Sequence, residues 1–352
     1  MAASELEELI GFLDHPRAEV REMSADIVAG LTATPEGIEN VKTRQRPLAL
    51  KLFRSVGLGG DAARKSLVAL VNVSHDPTFV EVLLQLNVVN RVMEMIRDGS
   101  VPHVDLLTSL LANVTISEKG CTDLLQIGQG SMEGLHMAVL LKKFVASGIA
   151  LCPGDADPYQ HVASVLTNVT RLAAARRLLL QPGRGLLAAL VSQLAAWNPL
   201  RRLGASGAIK NCVLSAEEDG TLEAVLSEPQ LLRHMLRPIS GQQPLEKEDT
   251  VRECMAEAVL VLAGSERGRD VLWEVGAPEA LRKGYEDEQH PGVCVAMERT
   301  AELFLSYGTI DSGMTPGVLG VASRSAQEQQ QQQGEGQEAG EGRAEEQQQK
   351  RA

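Results

Sequence analysis

Aromatic side chains are scarce in this 352-residue chain, at 3% of the total, and no apolar run approaches the roughly 20 residues needed to cross a bilayer. With so little Phe, Trp and Tyr, with Leu, Ala and Val dominant, and with Gly and Pro at intervals, the composition disfavours a β-sandwich and suits many short amphipathic helices. The opening stretch MAASELEELIGFLDHP is acidic and soon loses its apolar pattern, so the basic start and apolar middle of a secretory signal are missing. The five cysteines (Cys121, Cys152, Cys212, Cys254, Cys294) are scattered, odd in number and never form C-x-x-C, which reads as reduced thiols in a soluble cytosolic or nuclear protein.

Catalytic signatures are missing as well. GLGGDAARKS (57–66) resembles a phosphate loop only faintly: Arg64 stands where a glycine must precede Lys65, and no strand leads into it. The seven histidines form neither H-E-x-x-H nor a Cys/His cluster; His15, His75 and His290 fall in turns. The expectation is a protein with no enzyme activity, metal or cofactor.

What is present is a repeat. Asn72, Asn113, Asn168 and Asn211 each sit near the end of an apolar helical stretch, at spacings of 41, 55 and 43. Gly30 lies 42 before Asn72, and the pattern extends weakly to Ala263 and Leu305. The two long intervals carry insertions near 128–157 and 238–249; without them the period is close to 42. Each unit reads as a short helix, a second helix, and a longer third helix ending in the asparagine motif, as in RLAAARRLLLQP, GRGLLAALVSQLAAW and NPLRRLGASGAIKNCV. His15-Pro16, Asp157-Pro158, Asn198-Pro199 and His290-Pro291 open third helices. A three-helix unit of this length is the armadillo period. The expected fold is therefore all-α: an armadillo-like, right-handed α-solenoid over 1–315, about six full units after a partial one. The Gln/Glu/Gly-rich stretch 316–352 cannot bury enough apolar surface to order itself and is expected to be disordered.

Three of the asparagines stand in Asn-Val-Ser or Asn-Val-Thr, the acceptor pattern for N-linked sugar, but without a secretory signal they are not expected to carry it. Asn211 keeps the register while Cys-Val replaces the hydroxyl residue, so the recurrence has another cause. Two roles are open. On the concave side of an armadillo array each amide can pair with the N–H and C=O of an extended peptide; alternatively it bonds to neighbouring backbone and stitches units together.

Charge adds a second clue. From Pro158 to Ala216 there is no acidic residue but seven cations, Arg171, Arg176, Arg177, Arg184, Arg201, Arg202 and Lys210, leaving the remainder of a chain of net charge −12 at −19. This island is either an ordinary solvated face or an attractor for an acidic partner segment, with Arg201, Arg202 and Lys210 nearest the expected groove. Overall charge and the lack of stacking aromatics speak against nucleic acid.

The runs DADPYQHVASVLTNVTRLAAARRLLLQP, RRLGASGAIKNC and DTVRECMAEAVLVLAGSERGRDVLWEVGAPEALRKGY resemble the eukaryotic HGH family of armadillo-like proteins, over roughly Asp61 to Leu305. The resemblance implies a monomeric cytosolic co-chaperone that binds newly made translation elongation factor 2 and cooperates with the chaperonin TRiC/CCT. The terminal Gln/Glu/Gly stretch has no clear match to the family's C-terminal extension. A rival reading is a nuclear-import peptide adaptor, or a general armadillo scaffold. Import adaptors pair each groove asparagine with a tryptophan four residues earlier; here those positions are Val68, Ser109, Ser164 and Gly207.

Overall fold

A computed structural model describes residues 3–152, 154–181 and 186–311, and all regular structure among them is helical. Seven helices recur as the last member of a unit: α1 (Ala18–Thr32), α2 (Gly60–Val73), α3 (Val104–Val114), α4 (Val162–Val169), α5 (Pro199–Leu214), α6 (Asp249–Ala263) and α7 (Pro291–Asp311). Each packs on the next, so they form one continuous row. The helix Ala3–Phe12 precedes α1, and each later member of the row is preceded by two α-helices, giving six full units after a partial one.

The pattern that builds the row is visible in α3. Leu107, Leu110, Leu111 and Val114 recur at helical spacing and are all buried. No unit could bury such a stripe alone, and the buried residues of all units join one core. Between units the chain turns sharply. Thr34, Ser117 and Ser265 cap the next helix by accepting the N–H of Gly37, Gly120 and Gly268. Glycine is required there because a Cβ would fall 1.6, 2.0 and 1.8 Å from the carbonyl oxygens of Leu31, Val114 and Leu262.

These caps fix the register and correct one expectation. The cap lies four residues past Gly30 and Asn113, so the sixth unit's equivalent is Val261, not Ala263. Carrying the 42-residue step of Glu246 and Glu288 forward gives Leu303, not Leu305, in the last unit. The supposed insertion at 128–157 is largely helix Leu135–Ala150, which buries Met137, Leu140, Leu141 and Phe144 as the second helix of its unit. The 238–249 segment is held by bonds from Arg202 and Arg252 to Glu246. The stretch 316–352 lies outside the described residues.

Candidate partner-binding groove

The four asparagines make the same pair of bonds. Asn72 Nδ2 donates to Ala29 O and Thr32 Oγ1, each at 3.3 Å. Asn113 Nδ2 donates to Val71 O (3.5 Å) and Ser74 Oγ (2.8 Å). Asn168 reaches Ala112 O (3.0 Å) and Thr115 Oγ1 (3.2 Å), and Asn211 reaches Thr167 O (3.1 Å) and Thr170 Oγ1 (3.0 Å). Each hydroxyl spends its own hydrogen on a carbonyl one turn back in its helix, so it can only accept from the amide. Both partners being acceptors, the bonded atom must be the amide nitrogen. The stitching role is the one the structure displays.

This ladder accounts for the sugar-acceptor pattern. The Ser or Thr two residues after each rung position is there to receive the asparagine of the following unit. The first unit has the receiver Thr32 with Gly30 at the rung position, and Asn211 is followed by Val213 because the next unit offers Val261, which has no amide to donate. The nitrogen that would carry a sugar is the one already bonded in Asn72, Asn113 and Asn168. With both amide hydrogens committed, only the acceptor oxygen is left, so an asparagine here cannot also donate to a peptide carbonyl.

The basic island resolves into locks between units. Arg201 does not lie on the surface: it is 1% exposed, and all five of its N–H groups are used. They go to both Asp157 oxygens (2.5 and 2.8 Å), Phe144 O, Gln193 Oε1 and Ser147 Oγ, with the guanidinium 4.2 Å over the Phe144 ring. Burial pushes the Asp157 carboxyl up, but Arg201, the Tyr159 N–H and Asn198 together hold it below the usual aspartate range. Arg202 grips Glu246, and Arg176 grips Asp219 at 2.5 Å. Lys210 is paired with Glu257; burial opposes its charge, yet the carboxylate raises its pKa. Arg171 stretches to Thr115 O and Ile116 O of the unit before. Arg177 is exposed, and Arg184 lies outside the described residues.

Between the rungs and locks the row is open. Val68, Ser109 and Gly207 are half-buried and Ser164 is exposed, so the positions four residues before the rungs carry only small or medium side chains. Gly204 lets α5 lie directly on α4: a Cβ would meet Ala163 carbon atoms at 2.4 Å. Beside the rungs stand exposed apolar side chains that sequence reading missed, Ile116 (64% exposed), Leu214 (48%) and Val261 (38%). Ile116 stands between Thr115 and Ser117, whereas Leu214 and Val261 merge into the apolar pattern of their helices, so nothing in the sequence marks them as exposed. Around Ile116 the row opens into a mainly apolar cleft of about 610 Å³ lined by Asn113, His75, Pro77, Val80 and Leu84. No cluster of three or more His, Cys, Asp or Glu side chains able to hold a metal ion occurs among the described residues, and no helix among them is long and apolar enough to cross a membrane.

Stacked three-helix units and a stitched, open third-helix row define an armadillo-like α-solenoid scaffold. In overall fold it is similar to an engineered protein solved by crystallography (TM-score 0.59, 14% identity, 86% of this chain and 79% of that one). It is also similar to computationally designed armadillo repeat proteins for modular peptide recognition (TM-score 0.52, 12% identity, 73% of this chain and 99% of that one). A family described as "Domain of unknown function (DUF383)" matches residues 95–271. Proteins called "Protein HGH1 homolog" match along most of the chain: 21% identity in Dictyostelium discoideum (86% of this chain, 90% of the relative), 23% in Xenopus tropicalis (85% and 87%), and 26% in Homo sapiens (69% and 67%). The chain belongs to this HGH1 family of DUF383 proteins.

Proposed function

We propose that the chain is a non-catalytic, cytosolic protein-binding solenoid. In this reading it acts as a monomeric co-chaperone, without cofactor or nucleic acid, that receives newly made translation elongation factor 2 along its third-helix row and works with the TRiC/CCT chaperonin. The observation that carries it is the exposed apolar side chains of that row, Ile116, Leu214 and Val261, of which Ile116 lines the mainly apolar cleft beside Asn113. Exposed apolar side chains on an open row suit a partner that still shows unburied apolar segments, as a folding intermediate does. The absence of tryptophan at Val68, Ser109, Ser164 and Gly207 removes the side-chain pockets by which an import adaptor reads basic signals. The identity of the client rests on the family resemblance.

The test is recovery of partners from a cytosolic extract, with the wild-type protein and with Ile116→Asp/Leu214→Asp, both surface positions whose exchange leaves the core intact. Elongation factor 2 in the wild-type eluate, reduced at least tenfold by the variant at unchanged melting temperature, is the expected result. Its absence from the wild-type eluate, or equal retention by the variant, sinks the reading. A dominant signal from import receptors favours the adaptor instead.

A further inference from the structure

Five cations of the acid-free stretch, Arg176, Arg177, Arg201, Arg202 and Lys210, meet a carboxylate of a neighbouring unit. A second group of cations does not. Helix Pro229–Leu236 carries Arg233 and His234 in its last turn, and Arg237 follows in the 3-10 turn Arg237–Ile239. All three are exposed, and the four-residue spacing puts Arg233 and Arg237 on one face. Lys283, on helix Ala277–Tyr285 of the next unit, lines the same open hollow of about 430 Å³, with Ser240 and Gln242 as polar neighbours. A second hollow of about 280 Å³ shares His234 and Arg237 and adds Lys247.

Two carboxylates border these hollows and both are occupied: Glu246 by Arg202, and Glu279 by Arg282 and Lys283. Arg282, then Lys283, hold the Glu279 carboxyl down to about 2, so it stays charged and paired. Arg233 and Arg237 have no carboxylate within ion-pair distance among the described residues, in a chain of net charge −12. An acidic protein that leaves two guanidinium groups uncompensated in a cleft has a local field opposite in sign to its overall one, which selects anionic segments at encounter.

We propose that these two adjoining hollows, one between the second helices of the last two units and the other between Arg237 and Leu194–Trp197 of the fifth unit, form a docking site for an extended, carboxylate-rich peptide segment of a partner protein. The cations are strung along two adjoining hollows and do not converge on one point. That arrangement suits carboxylates spaced along a chain, each Arg able to take one in a two-pronged contact, better than a single compact phosphate. The site lies on a different helix row from the one proposed for the client, so the two can be lost separately.

The probe is a fluorescein-labelled peptide of about ten residues alternating Glu and Gly, added to the full-length protein and followed by fluorescence anisotropy at low salt. An otherwise identical Gln/Gly peptide, and inorganic phosphate as competitor, accompany it. The expected result is saturable binding of the Glu peptide that weakens at least tenfold in Arg233→Glu/Arg237→Glu and little in the charge-matched Arg64→Glu/Lys142→Glu, with circular dichroism unchanged. Equal weakening in both variants, or binding of the Gln peptide as tight as that of the Glu peptide, overturns the proposal. Displacement by phosphate at matched charge concentration overturns it too, in favour of a compact-anion site.

Discussion

Asn168 donates its Nδ2 to the Thr115 hydroxyl of the preceding unit at 3.2 Å, while that hydroxyl donates to Leu111 O at 2.7 Å within its own helix. One threonine thus closes its helix and anchors the next unit. Removing the amide leaves the Ala112 carbonyl without its inter-unit donor, so Asn168→Ala is expected to cost about 1–3 kcal/mol. Thr115→Val should cost a similar amount, and the double variant less than the two together, with a coupling of about 0.5 kcal/mol or more. Urea midpoints for the four proteins measure it; strict additivity would deny the rung.

The junction of α5 and α6 lacks a rung that substitution can supply. Val213→Thr with Val261→Asn supplies the missing receiver and donor at the junction of the fifth and sixth units. Val213→Thr alone puts a hydroxyl at a buried position and is expected to destabilise. Adding Val261→Asn should recover part of that loss, by about 0.5–1.5 kcal/mol. Equal melting temperatures for the single and double variants would show that no new rung forms.

The Arg201 and Asp157 pair predicts an acid limit. Burial disfavours the Asp157 charge, yet Arg201 and its other donors depress the folded pKa below the free value of 3.8. Its stabilisation is therefore complete above that value and lost as pH falls through the folded pKa. The Glu288 carboxyl, opposed by burial but held by Arg252, behaves alike. Urea midpoints should be flat from pH 7 to 5 and fall below about 4, with a shallower fall in Asp157→Asn. At neutral pH, Arg201→Ala leaves a buried carboxylate unpaired and should cost about 3–5 kcal/mol.

Gly204 sits where α5 presses on α4. In an exposed helix, alanine would be favoured over glycine by about 1 kcal/mol. Here the added methyl meets Ala163 backbone at 2.4 Å, an obstacle no rotamer change removes. Gly204→Ala is expected to be destabilising by about 1–3 kcal/mol in spite of its helix propensity, read from thermal unfolding.

Cys212 is fully buried, and desolvation pushes its thiol up to about 12. Cys121 and Cys254 are also buried and raised by the same cause, whereas Cys152 is exposed. A thiol reagent at pH 8 should label Cys152 rapidly in the native protein, the half-buried Cys294 more slowly, and the three buried thiols only after urea, with Cys152→Ser removing the fastest phase. Rapid labelling of Cys212 in native protein would contradict the packing of α5.

The period, the helix triplets and the recurrence of Asn72, Asn113, Asn168 and Asn211 were legible because a stacked array repeats its core pattern along the chain. The bonds of Arg176, Arg201 and Arg202 were not, because reading charge in a contiguous window hides partners from the adjacent unit. Those pairs are separated by 43, 44 and 44 residues, so comparing charges one period apart finds Asp219, Asp157 and Glu246 where a local window finds an acid-free island. The shift from Ala263 to Val261 has a similar origin: with the asparagine gone, apolar pattern alone fixes a helix only to within a turn, whereas Ser265 and Gly268 carry the register. In RRLGASGAIKNC, the most specific run of the family resemblance, the ion pairs, the close packing glycine and the rung are all structural. Exposed Ile116 and Leu214 carry no pattern of their own.

The ladder has a grammar of heads and tails. Every internal member owns one donor pointing backwards and one receiver pointing forwards, like a monomer in a head-to-tail polymer. Thr32 begins the series as an initiator, a receiver with no donor in its own unit, and Asn211 ends it as a terminator, a donor whose own unit lacks a receiver. The array thus carries its own stop signals. Lengthening it by copying an internal unit should extend the run of rungs, and copying a unit past Asn211 should not.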